Sequence, residues 1–165
     1  MGCSSSLLSP YTAEEVEAEI AKIVARLPMA EQMNGGIIKL QGPNGFFNPN
    51  SLLDPNWLKG AMTADEYRDA INYINKCTAH THVGLKKIFT PSDMPVREKL
   101  KSDAGMAAVQ YLNDRYRSVR FTYQPTNENA QINIAANTDT AARYAKRRGE
   151  RVAHAPITNL FIAIQ

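Results

Sequence analysis

The segment from Thr63 to Thr78 restricts the fold of this chain more than any other. Thr63 and Glu66 stand at capping-box spacing, Met62 and Tyr67 are placed to staple the start, and Tyr67, Ile71, Ile74 and Thr78 descend one face. A helix marked this way must bury that face against something. Further on, the period changes from 3.6 to two. Val119, Phe121 and Tyr123 alternate with Arg120, Thr122 and Gln124, and after the turn-forming Pro125 to Asn129 come Ile132 and Ile134 around Asn133, a pattern that predicts a β-hairpin. Ile37 to Leu40 reads as a short strand before a Gly42-Pro43-Asn44-Gly45 turn, and Leu160 to Ile164 as a closing strand.

Helical signals fill much of the remainder. Thr12 and Glu15 repeat the capping-box spacing ahead of Val16, Ile20, Ile23, Val24 and Leu27, a stripe that Pro28 stops. Met29 to Gly36 reads as a loop, and Phe46 to Lys59 as an ordered loop packed on the core by Phe46, Phe47, Leu52, Leu53, Trp57 and Leu58. A short helix is expected within Pro91 to Lys101, with Pro95 in its first turn, and another from about Asp103 to Arg117. Thr138 or Asp139 would cap a basic helix reaching about Arg151. These elements imply one α+β domain over residues 12–165, a small, mostly antiparallel sheet packed with amphipathic helices, preceded by a flexible segment over residues 1–11. With 44% hydrophobic and 21% charged residues, the chain is far from the composition of a disordered one.

Charge and cysteine content narrow the function classes. A net charge of +3 is too small to argue for nucleic acid by itself. No apolar run approaches the roughly 18 residues of a membrane span, and no secretory signal is recognisable. The two cysteines, Cys3 and Cys77, suggest no disulfide framework and suit a reducing compartment.

The start of the chain, Met-Gly-Cys-Ser-Ser-Ser, meets the requirement for myristoylation of Gly2 after removal of Met1, with Ser6 at the discriminating position. One myristoyl chain holds a membrane only marginally, so stable attachment needs a second signal. Cys3, beside that glycine, is a palmitoylation candidate. A lipid-anchored protein on the cytoplasmic face of the plasma membrane, the Golgi or another endomembrane is the expectation. Arg143, Lys146, Arg147, Arg148 and Arg151, opposed locally by Glu150, supply a basic stripe that would reinforce the anchor on anionic lipid. No aromatic platform accompanies the stripe, so nucleic acid is not expected.

Catalytic signals are sparse. Cys77, His80 and His82 cluster where the capped helix is expected to end, but a structural zinc needs a fourth ligand, and His154 is the remaining histidine. A thiol enzyme using Cys77 with His80 or His82 is the enzymatic alternative, and the simpler reading is a half-buried Cys77 with two exposed histidines. Gly35-Gly36 and Gly42 to Gly45 match no phosphate-loop pattern and read as turns. Asp65, Glu66 and Asp69 are explained by their place at a helix start. No cofactor, metal or catalytic set is expected.

The stretch Trp57-Leu58-Lys59-Gly60, Met62-Thr63-Ala64-Asp65-Glu66-Tyr67 and Ile71-x-x-Ile74-Asn75 resembles the golgin subfamily A member seven and Erf-four family, and the related cysteine-rich hydrophobic domain proteins. Leu112-Asn113 followed by Val119 to Tyr123 is similar to that family's later helix and strand pair. The resemblance implies a non-enzymatic accessory subunit that binds a membrane-embedded DHHC-type protein acyltransferase, with Trp57, Tyr67 and Asn75 as partner-binding positions. A structural protein of a membrane-associated cytoskeleton is a further alternative that the same anchor would serve.

Overall fold

In the computed structural model the described residues are 27–88, 94–133 and 152–165, with Glu14 and Ala18; side chains are described over 27–79, at 96, and over 98–130 and 156–165. Four strands form one antiparallel sheet in the order β1-β2-β4-β3: β1 (Glu31–Gln32), β2 (Ile38–Pro43), β3 (Val119–Asn133) and β4 (Val152–Ile164). Two helices, α1 (Ala64–Ile88) and α2 (Met94–Arg115), pack on each other and close the core, giving a small single-domain α+β fold. The helix expected over Thr12 to Leu27 and the basic helix to Arg151 lie outside the described residues, although Glu14 and Ala18 are helical and exposed.

α1 forms because its start is satisfied locally. The Thr63 hydroxyl accepts from Glu66 N–H at 3.1 Å and the Glu66 carboxylate accepts from Thr63 N–H at 2.8 Å, a closed capping box. Met62, Tyr67, Ala70, Ile71, Ile74 and Cys77 face the interior, against Ile38, Leu40, Phe121, Leu160 and Ile162 of the sheet. The helix runs to Ile88, past the end expected near Cys77 to His82, because no Pro breaks it and Gly84 is tolerated within it.

α2 corrects the two-helix expectation for Pro91 to Arg117. It is one helix with Pro95 in its first turn, and the i,i+4 pair of Lys99 and Asp103 at 2.8 Å spans the supposed break. Lys101, 4% exposed, hides the apolar periodicity there, since a charged residue occupies an inward position beside Glu98 at 3.2 Å. Gly105 has a packing reason. A Cβ on it would run into the ring of Tyr123, so the helix meets β3 only without one.

The hairpin is also redrawn. Pro125 to Asn129 is not a turn but a bulge within β3, which pairs with β4 from Val119↔Ile164 to Asn133↔Val152. Because β2 pairs with β4 only as far as Pro43↔Ile157, the β3–β4 ribbon extends beyond the rest of the sheet. The segment expected to be a loop between Met29 and Gly36 contains β1, whose register Glu31↔Lys39 makes a small hairpin with β2. β2 itself ends in a tight turn where Asn44 (φ 57°) and Gly45 (φ 79°) take successive positive φ values.

The loop from Phe46 to Lys59 is held from α1. Asn75, fully buried, accepts from Phe47 N–H at 2.9 Å and donates to Phe47 C=O at 2.7 Å. Tyr67 Oη and Ser51 Oγ share a 2.7 Å hydrogen bond, and burial pushes the Tyr67 phenol up to about 12 despite that bond. Gly42 is needed where Phe47 turns back over β2, since a Cβ there would stand 2.7 Å from the Phe47 ring. A 3-10 turn, Pro55–Leu58, capped by Asp54, ends with Lys59 in the left-handed region at φ 50°.

Candidate functional site

The strand register divides the molecule into two ends. At one, Asn133 and Val152 pair at the tip of the ribbon, so residues 134–151, which hold Arg143, Lys146, Arg147, Arg148 and Arg151, leave and return there. Those five residues lie outside the described set, as do Gly2 and Cys3. At the opposite end, β3 begins and β4 finishes. Gln165 N–H donates to Ser118 C=O at 2.9 Å, and Ser118 Oγ donates to Ala61 C=O at 3.1 Å, which brings the end of α2 beside the start of α1. Lys59 reaches the β1–β2 turn, its ammonium lying over Gly36.

Trp57, Tyr67 and Asn75 do not form one surface. Trp57 is half-buried at this second end, packed against the core. Tyr67 is 1% exposed and Asn75 is completely enclosed. Both are interior residues that hold the Phe46 to Lys59 loop, so neither meets a partner unless the fold opens. Their place in the sequence pattern is explained by that work.

A second carboxamide does the same for the sheet edge. Asn113 of α2 accepts from Phe121 N–H at 2.7 Å and donates to Phe121 C=O at 3.0 Å, occupying the outer edge of β3 as a neighbouring strand would. Around it lies a groove of about 410 Å³ between α2 and β3, lined by Met106, Val109, Asn113, Asp114, Phe121 and Tyr123 among others. Tyr123 is buried, in edge-to-face contact with Phe47 at 6.2 Å, and desolvation raises its phenol.

Cys77 is 2% exposed in the core and disulfide-bonded, which corrects the expectation that the cysteines form no disulfide. At that burial its sulfur is closed to a substrate in either redox state. The chain has one other cysteine, Cys3. The side chains of His80, His82 and His154 lie outside the described residues. Among the described residues no group of three His, Cys, Asp or Glu side chains is placed to hold a metal ion, and no helix is long and apolar enough to cross a membrane.

On the outer side of the helix pair, Tyr73 and Tyr111 are 4.8 Å apart at 38°. Arg115 donates to Tyr111 Oη at 3.4 Å and lies 5.5 Å over the Tyr116 ring. The sequence placed Tyr116 on one side of the expected helix with Val109 and Leu112 but did not point to Tyr73, Tyr111 or Arg115, although Tyr111 and Arg115 stand at i,i+4 spacing, the signal that would have paired them. No family model, curated protein or solved structure matches this chain.

Proposed function

We propose that this protein is a lipid-anchored, non-enzymatic adaptor that carries its α+β domain at the cytoplasmic face of a membrane and presents it to a membrane protein. The observation that carries the reading is the Met-Gly-Cys-Ser-Ser-Ser start, which combines a myristoylation signal at Gly2 with an acyl-accepting thiol at Cys3. The partner class follows from the family resemblance: a DHHC-type protein acyltransferase. The basic residues Arg143, Lys146, Arg147, Arg148 and Arg151 add an electrostatic contact for anionic lipid.

Cys3 accepts an acyl chain only as a thiol, so acylation and a bond to another sulfur are exclusive states of that atom. A reducing cytosol favours the thiol. The test is metabolic labelling with a myristate analogue followed by fractionation. Gly2→Ala should remove the label and release the protein to the cytosol, while Cys3→Ser should leave it exchanging on and off membranes. Persistent membrane binding by unlabelled Gly2→Ala would overturn the anchor. Affinity purification from detergent-solubilised membranes should recover a membrane protein; recovery of soluble partners alone counts against the adaptor role.

A further inference from the structure

The end of the domain away from the ribbon tip gathers cations that no carboxylate of the described residues pairs with. Arg68, Lys99 and Lys101 are held by Asp65, Asp103 and Glu98 respectively. Lys59, Arg115 and Arg117 are exposed and enter no such pair among the described residues. Of the acids nearby, Asp65 is held by Arg68, Glu66 accepts from Thr63 N–H and Asp54 accepts from Asn56 N–H, while Glu31 of β1, Asp69 of α1 and Asp114 in the last turn of α2 are exposed and enter no ion pair with the three cations among the described residues. Two half-buried rings share this end, Trp57 one residue beyond Asn56 and Tyr116 beneath the Arg115 guanidinium. Met33, 43% exposed, stands at the β1–β2 turn that ends in Gly36, the glycine Lys59 covers.

The contacts that assemble this end are those from Gln165 to Ser118, from Ser118 to Ala61 and from Lys59 to Gly36. They draw on four separate stretches of the chain, so the charges are spread over turns and element ends. The groove, by contrast, lies between α2 and β3 and takes none of the three cations. Spread cations flanked by Trp and Tyr match a planar anionic surface, where aromatic rings sit at headgroup level and basic side chains meet phosphates. A protein hot spot instead seats its anchors in a pocket.

We propose that this end, with Lys59, Arg115 and Arg117 as its cations and Trp57 and Tyr116 as its rings, docks on an anionic lipid bilayer. The inference rests on the lipid-anchored reading above: acyl chains bring the domain to the membrane, and this end sets which face is turned toward it. Each cation near an anionic leaflet contributes about fivefold in partitioning, so the three together supply about a hundredfold. This contact shares no residue with the basic run between Arg143 and Arg151.

The experiment uses the full chain, unacylated, in sedimentation with vesicles of phosphatidylcholine alone or mixed with phosphatidylserine. Binding should require phosphatidylserine and weaken as salt rises. Lys59→Gln with Arg115→Gln and Arg117→Gln should lower the partition coefficient by about tenfold or more. Lys59→Gln with Arg117→Gln, which leaves the Arg115 contacts to Tyr111 and Tyr116 in place, should give an intermediate loss, and Lys99→Gln none. Circular dichroism establishes that the variants are folded. An unchanged triple variant overturns the proposal, including the case where neutralising Lys146, Arg147 and Arg148 abolishes binding instead. So does a wild-type chain that ignores phosphatidylserine, and that outcome leaves the acyl anchor standing, since myristate on Gly2 is read independently.

Discussion

Asn75 offers the most direct perturbation of this fold. Its carboxamide spans 28 residues of sequence to satisfy both polar groups of Phe47, and both bonds are buried. Replacing it with leucine, of similar volume, leaves an N–H and a C=O enclosed without partners. Each costs about 1–3 kcal/mol, so Asn75→Leu should lose about 2–6 kcal/mol. Against a typical domain stability of about 5–15 kcal/mol, that is a large fraction. Urea denaturation followed by circular dichroism would show the loss as a lower midpoint with little change in slope.

Asn75→Asp adds a pH signature that simple packing damage does not. A neutral carboxyl can donate to Phe47 C=O and accept from Phe47 N–H, whereas a carboxylate can only accept. Burial disfavours the charged form, so the folded-state pKa of that carboxyl is raised above its unfolded value near 3.9. A raised carboxyl contributes stability that is fully present below the unfolded pKa and is lost as pH rises through the folded one. The Asn75→Asp variant should therefore gain stability relative to wild type on going from neutral pH toward mild acid. A loss under 1 kcal/mol in Asn75→Leu, together with a pH-independent difference in Asn75→Asp, would refute the assignment of Asn75 as the clamp on this loop.

Two further outcomes follow from close packing and burial. Gly105→Ala drives a methyl group into the Tyr123 ring and should destabilise by about 1–3 kcal/mol, with much of the loss recovered when Tyr123→Leu is combined with it in a double-mutant cycle. Tyr67, raised to about 12, binds its proton more tightly in the folded state than in the unfolded one. Its contribution is complete below about pH 10 and is lost as pH rises toward 12. Denaturation midpoints should fall across that window, and Tyr67→Phe should remove most of the fall.

Much of the fold was legible where a local signal and the tertiary demand coincide. The Thr63 and Glu66 capping box, the inward row of Tyr67, Ile71 and Ile74, and the alternation of Val119, Phe121 and Tyr123 all appear as read. The misreadings have identifiable physical sources. Pro125 to Asn129 carries turn chemistry, yet β4 runs past it and absorbs it as a bulge, a decision made by a strand nearly thirty residues later. α2 looked like two helices because buried Lys101 sits where an apolar residue would mark the stripe. β1 spans two exposed residues, Glu31 and Gln32, with no strand composition, and exists because Lys39 and Ile38 offer an edge.

The candidate site shows a different kind of illegibility. Asn75 and Asn113 both fall in the stretches that carry the family resemblance, and each is a carboxamide closing on one backbone residue, Phe47 or Phe121. A pattern made of such residues reports how a loop and a sheet edge are held, which any chain with this architecture needs. It constrains fold strongly and function weakly, because buried clamps touch no partner. Functional discrimination must then come from what the clamps leave outside. The candidates are the Met-Gly-Cys-Ser-Ser-Ser start, the basic run from Arg143 to Arg151, and the uncommitted cations around Trp57 and Tyr116. The last lies among the described residues, held in place by hydrogen bonds from Gln165 N–H and Ser118 Oγ, so it is the surface on which geometry and function can be tested together.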